Sequence, residues 1–327
     1  TGSIYTTRHL PYTSIFGLTV ITALFVGLYL GRYFWRMKIY TLPDYFSKRF
    51  PSEKVRIAAT AIVLVSMIGY LVTVMIGTNV VLNQLYGWSQ TTSLLVVLGI
   101  ISIFTVAGGM RGVVITDTIM MIVILVAASS MGPYIVKAAG GWPNAMKKAA
   151  TSLPNFMDWH GTNNPFDAFW FLIETNIFSM ILGMASPQLL SRTFIAKDEK
   201  TLARAEIVQA LIVPVFVFIF FGCYGLLPLV AKDIDPVNAY TWVSMELVPP
   251  LVGAVALAGV VAAALSTASS LFQQAAAALS RDIYQRYINP DVDEKKFMTV
   301  SKICVVITAV ITFALSVFQE TSAAAIV

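Results

Sequence analysis

The chain has 327 residues, of which 57% are hydrophobic and 12% are charged, and its formal net charge at pH 7 is +5. Soluble domains carry about 25% charged residues, so this composition excludes an ordinary soluble protein and indicates a polytopic membrane protein. The two cysteines, Cys223 and Cys304, lie in apolar stretches and are predicted to be buried thiols. The two histidines lie outside such stretches, which leaves no pattern for a His/Cys metal cluster.

A membrane-spanning helix needs about 20 mostly apolar residues. We predict such helices at roughly 11–35, 57–83, 91–107, 113–136, 166–190, 206–230, 251–279 and 298–318. With these eight spans the loops alternate between the two sides of the membrane, and most of the 22 lysines and arginines fall on one side. Basic loops face the cytoplasm, so both ends of the sequence are predicted to lie outside.

The whole sequence, residues 1–327, is predicted to be one partial transmembrane domain, incomplete at both ends. It begins without Met, shows no signal peptide and ends in an apolar run. The lack of an N-x-S/T sequon favours a prokaryotic source, and hence a multi-pass protein of the inner membrane. The net positive charge follows the alternation of the loops, so it indicates no nucleic-acid partner.

Two carboxylates fall well inside predicted spans: Asp117 in GGMRGVVITDTIMM and Glu174 in FLIETNIF. Carboxylates inside a membrane are costly and usually face a cavity or a partner. Asp117 is therefore either a cation ligand or a structural group, namely a helix N-cap or a partner for Arg111. Glu174 lies in the outer half of its span, where it either helps to bind a substrate or proton or reaches the outer water.

Residues 251–287 are predicted to form one long helix with a small, hydroxyl-rich middle. Four hydroxyls fall within five residues of that middle: Ser266, Thr267, Ser269 and Ser270. Helical spacing places Ser266, Thr267 and Ser270 on one face with Ala263, and places Ser269 at the edge of that face. Such a face can pack closely against another helix or offer oxygen ligands to a small hard cation, and the residues alone leave both alternatives open.

Four motifs follow one another along the chain: TLPDYFSKRF at 41–50, AGGMRGVVITDTIM at 107–120, SPQLLSRTFIAKDEK at 186–200, and PPLVGAVALAGVVAAALSTASSL with a closing SRDIY at 249–284. In this order and spacing they resemble the sodium/solute symporter family, which includes bacterial proline, pantothenate and monocarboxylate carriers. The resemblance implies an all-α, leucine-transporter-type fold of two inverted five-helix repeats. This sequence would supply core helices 2 to 9.

The function implied by the resemblance is Na⁺-coupled import of a small organic solute by alternating access. The alternative is a symporter-like sensor domain of a larger signalling protein. An intramembrane enzyme is not expected, because no predicted span holds a histidine to pair with a serine and no carboxylate pair stands at protease spacing.

The resemblance also implies ion ligands, with one or two Na⁺ ions as the co-transported species. The main site would take the carbonyl oxygen of Ala263 and the hydroxyls of Ser266 and Thr267. A second site, present in some members, would take Asp117, Ser269 and Ser270, with Ser266 shared between the two. Hydroxyls, carbonyls and one carboxylate suit Na⁺, because a hard cation prefers oxygen ligands and these bind it weakly enough for release.

A solute pocket is implied between core helices 3, 6, 7 and 8. Tyr70 resembles the helix 3 tyrosine that proline carriers use, and Thr73 follows it in the same span. Ser179 and Gly183 stand where those carriers have a Trp and a Tyr, which implies a pocket for a bulkier solute or one lined by other groups. Glu174 and Asn176 are the candidates for such groups. The expected solute is a carboxylate or amino-acid-like molecule rather than a sugar.

Overall fold

The computed structural model describes residues 24–153, 186–194, 196–231, 234–235 and 238–324. All regular elements among these residues are helical. In chain order they are α1 (Gly31–Arg36, after a π-helical turn at Val26–Leu30), α2 (Leu42–Arg49), α3 (Glu53–Tyr86), α4 (Gln90–Ala138), α5 (Trp142–Ser152), α6 (Pro187–Phe194), α7 (Glu199–Gly225), a 3₁₀ turn (Leu227–Leu229), α8 (Ala239–Trp242, continued as a π-helix at Val243–Leu247), α9 (Pro250–Ala277, continued as a π-helix at Ala278–Ile288) and α10 (Glu294–Ala324).

Local sequence signals explain where several helices begin and end. Thr41 and Asp44 form a reciprocal capping box at the start of α2, with Pro43 in its first turn. Asp198 caps α7 by accepting a hydrogen bond of 2.7 Å from the backbone N–H of Thr201, which holds the pKa of Asp198 below its ordinary value. Gly87 ends α3 in the left-handed region, at a φ of 65°, where a residue without Cβ meets no steric penalty.

In the described part of the chain, four helices are long and apolar enough to cross a membrane: Glu53–Tyr86, Gly112–Ala138, Pro250–Ile288 and Glu294–Gln319. They confirm the predicted spans at 57–83, 113–136, 251–279 and 298–318. Gln90–Val106 is a shorter apolar helix at the predicted span 91–107. α7 covers most of the predicted span 206–230. The predicted spans 11–35 and 166–190 lie largely outside the described residues.

The predicted break between the spans 91–107 and 113–136 is wrong. α4 is helical throughout its 49 residues, more than twice the number that one membrane crossing needs. Gly108 and Gly109 lie in this stretch, but a glycine costs a helix only about 1 kcal/mol and still donates its backbone hydrogen bond. Since no proline stands there to remove a donor, the helical hydrogen bonding continues.

The chain divides into two compact units. The first comprises Thr1–Tyr33, Ile122–Ser186 and Ala196–Val260, and the second comprises Phe34–Met121, Pro187–Ile195 and Val261–Val327. α4 and α9 each contribute one part to the first unit and another to the second.

The core of the first unit is built around Tyr224, which is fully buried and stacks on Tyr240 with 6.1 Å between ring centroids. The hydroxyl of Tyr240 donates to the carbonyl of Ala256 at 2.8 Å. Close helix packing requires Gly259, because a Cβ at this position would stand 2.3 Å from the Cβ of Ala127. The first part of α9 is thus fixed against α4 and α8.

The core of the second unit brings α3, α4, α9 and α10 together. Each helix supplies fully or almost fully buried side chains, among them Leu71, Leu94, Phe272 and Val305. The predicted burial of both thiols is confirmed: Cys304 lies in this core, Cys223 lies in the core of the first unit, and both are free. The hydroxyl-rich middle of α9 belongs to the second unit.

Candidate functional site

The second unit brings Asp117 of α4 next to two hydroxyls of α9. Ser269 Oγ donates to Asp117 Oδ1 at 3.5 Å, and Ser270 Oγ donates to Asp117 Oδ2 at 3.3 Å. Asp117 and Ser270 are half-buried, whereas Ser269 is 7% exposed. Three of the residues expected to form the second ion site therefore lie together, although more than 150 residues separate Asp117 from the serines in sequence.

Asp117 does not cap a helix, so this structural alternative is wrong. The alternative required a helix that begins just after Asp117, but the residue lies in the interior of α4. The other structural alternative was a pairing with Arg111, whose side chain lies outside the described part of the structure. A carboxylate in the interior of an apolar helix has no unpaired backbone N–H groups within reach, and its oxygens are therefore directed to other partners.

The residues expected at the main ion site share one local hydrogen-bonding pattern. Ser266 Oγ and Thr267 Oγ1 both donate to the carbonyl of Ala263, at 3.0 Å and 2.9 Å. Ser269 Oγ also donates to the carbonyl of Ser266, at 3.0 Å. Ser and Thr in apolar helices commonly bond in this way, so the pattern fits a packing face as well as an ion site.

The chemistry of these groups suits a hard monovalent cation. A hydroxyl that donates its hydrogen to a carbonyl keeps its lone pairs available to a cation. The cluster adds a single carboxylate to these neutral oxygens, which gives one negative charge to balance one Na⁺. Across the described residues, no group of three or more His, Cys, Asp or Glu side chains could hold a metal ion. The donor set therefore differs from those that transition metals prefer.

Two residues expected in the solute pocket lie on one accessible face of α3. Tyr70 is 43% exposed, and Thr73, also exposed, donates its hydroxyl to the carbonyl of Gly69 at 3.1 Å. Neither side chain is packed in the core of the second unit, which leaves both open to a ligand. The other expected pocket residues, Glu174, Asn176, Ser179 and Gly183, lie outside the described residues.

The structure also holds a buried ionic cluster that the sequence did not predict. Arg56, at the start of α3, is 4% exposed and binds Asp44 at 2.7 Å and Asp282 at 2.8 Å. Asp282 is fully buried and accepts a further hydrogen bond of 3.0 Å from the hydroxyl of Thr41. We call these four residues the Arg56 cluster. It joins the segment before α3 to the π-helical end of α9.

A second, exposed pairing lies beside the Arg56 cluster. Glu53 accepts hydrogen bonds from the guanidinium of Arg286 and from the hydroxyl of Tyr287, the latter at 2.6 Å. Arg56 and Arg286 belong to the basic segments that the charge bias predicts on the cytoplasmic side. The T-x-x-D capping box at Thr41 and the Arg-Asp pair at 281–282 were signals of this arrangement, but no local rule indicates that the two segments meet.

Comparison with known proteins identifies a family and several relatives. The model of the sodium:solute symporter family matches residues 8–327. The sodium/proline symporter of Staphylococcus aureus is 24% identical, over 96% of this chain and 63% of that protein. The sodium/pantothenate symporter of Escherichia coli is 26% identical, over 78% and 53%. The sodium/myo-inositol cotransporter 2 of Oryctolagus cuniculus is 22% identical, over 92% and 49%. The chain thus spans about half to two thirds of the length of these relatives.

A solved structure shares the fold. It is described as the substrate-bound outward-open state of a Na⁺-coupled sialic acid symporter that reveals a novel Na⁺ site. The match has a TM-score of 0.81 at 19% sequence identity and covers 98% of this chain and 72% of that one. It confirms the all-α, leucine-transporter-type fold that the sequence resemblance implied.

Proposed function

Since the chain belongs to the sodium:solute symporter family, we propose that it carries a small organic solute across the membrane by secondary active symport with Na⁺. It is a multi-pass membrane protein of a transporter family and not an enzyme. The observation that carries the proposal is the contact of Asp117 with Ser269 and Ser270. Since bacterial proteins are among its relatives, we extend the proposal to the bacterial inner membrane, with the basic loops in the cytoplasm.

The proposal assigns Na⁺ to two groups of ligands on α9. The first consists of Ala263, Ser266 and Thr267, and the second consists of Asp117, Ser269 and Ser270. The hydroxyl–carboxylate contacts of the second group, at 3.3 and 3.5 Å, are longer than the usual 2.5–3.0 Å of an O–H···O hydrogen bond. Contacts of this length are easily exchanged for a cation between the same oxygens, which supports the assignment.

Coupling by alternating access follows if Na⁺ binds one conformational state more tightly than the other. A ligand shifts a conformational equilibrium only by its difference in affinity for the two states. Asp117 and the serines lie on different helices, so a relative movement of α4 and α9 would change the number of ligands around the ion. We propose that the outward-open state has the higher Na⁺ affinity and that bound Na⁺ completes the solute pocket beside Tyr70 and Thr73.

For the solute we propose a small carboxylate or amino-acid-like molecule. The solutes in the names of the relatives and of the solved structure are proline, pantothenate, sialic acid and myo-inositol. Three of these four carry a carboxylate and the fourth is a polyol. The accessible hydroxyls of Tyr70 and Thr73 could donate hydrogen bonds to carboxylate oxygens.

Uptake by the full-length protein in liposomes tests the proposal. Small carboxylates, amino acids and polyols, including the four named solutes, are offered in radiolabelled form. An inward Na⁺ gradient is compared with an equal gradient of choline. We expect accumulation of at least one carboxylate above its equilibrium level with Na⁺ alone. Equal uptake with both cations would contradict Na⁺ coupling, and Na⁺-driven uptake of polyols alone would contradict the proposed solute class.

A further inference from the structure

A cavity of about 400 Å³ lies within the second unit, and its described lining includes none of the candidate ion ligands. It is bounded by α4, the second half of α9 with its π-helical continuation, and the first turns of α10. Its size falls within the range of about 300–1,000 Å³ that is usual for small-molecule sites. Its described lining includes Thr105, Val106, Ala277, Arg281, Phe297, Met298 and Lys302.

The charged side chains of this lining are both basic. Arg281 and Lys302 border the cavity, and no acidic residue belongs to its described lining. Among the described residues, neither of the two forms an ion pair with a carboxylate. Instead, the guanidinium of Arg281 lies over the ring of Tyr40, 3.9 Å from its centroid, which fixes its position without neutralising its charge. The cavity therefore offers an anion two positive charges that no carboxylate of the described residues pairs with.

A buried hydroxyl in the same cavity has no hydrogen-bond partner among the described residues. It is Oγ1 of Thr105, a residue that is 4% exposed. A buried polar group without a partner destabilises the folded state, and such a group in a native protein calls for an explanation. Because Thr105 lines the cavity, a ligand in the cavity can supply the missing hydrogen bond.

The remainder of the lining is largely apolar. On α10 it includes side chains that are partly or largely exposed. Phe297 is half-buried and Met298 is 55% exposed, and both stand within two turns of Lys302. Farther along the same helix, Ile303 and Val306 are 53% and 50% exposed, as expected for side chains that face lipid. A free inorganic anion would use only the basic part of such a cavity. An amphiphile with an anionic head and a hydrocarbon tail would use all of it.

The cavity lies at the end of α9 where the basic loops cluster, which the charge distribution assigns to the cytoplasmic side. Anionic phospholipids give the cytoplasmic leaflet a negative surface potential, and basic pockets between helices on this side bind their head groups. We propose that the cavity is a binding site for an anionic phospholipid. Arg281 and Lys302 hold its phosphate, Thr105 donates to one of its oxygens, and Val106, Phe297 and Met298 contact the beginning of its acyl chains.

The full-length protein in detergent tests this proposal with two lipids of identical acyl chains, phosphatidylglycerol and phosphatidylcholine. Native mass spectrometry measures the lipid retained, and thermal unfolding measures stabilisation by each lipid. Phosphatidylglycerol is expected to be retained and to raise the melting temperature more than phosphatidylcholine does. The double variant Arg281→Gln/Lys302→Gln should reduce the affinity for phosphatidylglycerol roughly tenfold or more, since each basic group contributes a few-fold.

Two further variants separate the cavity from general charge effects. Lys295→Gln/Lys296→Gln removes the same charge from the exposed start of α10, outside the cavity lining, and is expected to change the affinity less than about twofold. Ala277→Leu keeps every charge and narrows the cavity, and should weaken lipid retention. If the double variant of the cavity folds poorly, Lys302→Gln alone provides the test, because Lys302 is exposed and its replacement leaves no buried charge unpaired.

Each outcome decides the proposal. Equal losses of lipid in the cavity and control double variants, or no loss in either, would overturn it. Equal retention of the two lipids would show that the cavity does not select an anionic head. If millimolar inorganic phosphate stabilises the protein as much as phosphatidylglycerol, and depends equally on Arg281 and Lys302, the site takes a free anion and the lipid assignment is wrong.

Discussion

Two carboxylates of the second unit differ in their burial and in the side chains that contact them. Asp282 is fully buried and receives a guanidinium of Arg56 at 2.8 Å and the hydroxyl of Thr41 at 3.0 Å. Asp117 is half-buried and receives the hydroxyls of Ser269 and Ser270 at 3.5 and 3.3 Å. Asp282 is bonded to a positive charge at short distance, whereas the two hydroxyls that contact Asp117 are neutral and stand farther away.

The difference indicates two roles. A buried carboxylate with a charged partner is costly to uncouple, since the charge that remains is desolvated and unpaired. Asp282 therefore fixes the end of α9 to the segment around α2. The long contacts between Asp117 and the two hydroxyls can open to admit a mobile cation and close again after its release. These roles can be separated by two variants. Replacing Arg56 should cause a loss of stability, and replacing Asp117 should cause a loss of ion affinity.

The largest expected effect is on stability. Arg56→Ala removes the charge that compensates Asp282 and Asp44 and should lower the free energy of unfolding by about 3–5 kcal/mol. Thermal unfolding of the full-length protein in detergent measures the change. Lys54→Ala removes a positive charge two residues away, at an exposed position, and is the matched control. Equal melting temperatures of the two variants would show that the Arg56 cluster contributes no more than surface charge.

The second effect is on ion affinity. Asp117→Asn keeps the shape of the side chain and one oxygen acceptor but removes the negative charge. We expect the Na⁺ concentration for half-maximal uptake to rise at least about tenfold, equivalent to about 1.4 kcal/mol, with little change in melting temperature. Uptake at varied Na⁺ and unfolding in detergent are measured on the same preparation. A large loss of stability with unchanged Na⁺ dependence would instead make Asp117 a structural residue like Asp282.

A smaller effect is expected for the neutral ligands. Thr267→Ala should raise the Na⁺ requirement about fivefold, the factor that corresponds to one lost polar contact of about 1 kcal/mol. Thr308→Ala is its control, because Thr308 is a buried threonine of α10 whose hydroxyl donates to the carbonyl of Cys304 in the same i−4 pattern, at 2.9 Å. If both variants raise the Na⁺ requirement equally, the hydroxyls act through packing and not as ligands.

The same comparison can be made between Ser266 and Ser130. Both donate to the carbonyl three residues earlier, at 3.0 Å for Ser266 and 2.7 Å for Ser130, and both are half-buried. We expect Ser266→Ala to raise the Na⁺ requirement several-fold, as for one lost ligand, and Ser130→Ala to leave it unchanged. The initial rate of uptake at varied Na⁺ decides between them, and a response limited to Ser130 would place the ion elsewhere.

The smallest expected effect concerns the exposed neighbour of the Arg56 cluster. Side chains of Glu53 and Arg286 are 55% and 44% exposed, and exposed ion pairs contribute little to stability. Glu53→Gln should therefore leave the melting temperature unchanged within error, both at low salt and at high salt. A destabilisation comparable to that of Arg56→Ala would mean that the two pairings act as one unit.

The sequence predicted most of the helices because long apolar runs are a strong and local signal. It also predicted the small-residue face of α9 and singled out Asp117, because a carboxylate is conspicuous in an apolar stretch. It did not predict the continuous α4, since glycines weaken a helix without ending it. It could not reveal the contact between Arg56 and Asp282, which depends on tertiary packing of segments more than 200 residues apart.

Direct binding of radiolabelled Na⁺ to the purified full-length protein is the most direct test of the central claim, that Asp117 and the α9 hydroxyls hold the coupling ion. We predict saturable binding to the wild type, weaker binding by Asp117→Asn, and wild-type binding by Thr118→Val, which changes the exposed neighbour of Asp117. The decisive protein is the double variant Asp117→Asn/Thr267→Ala. If it folds correctly and still binds Na⁺ as the wild type does, the claim is contradicted.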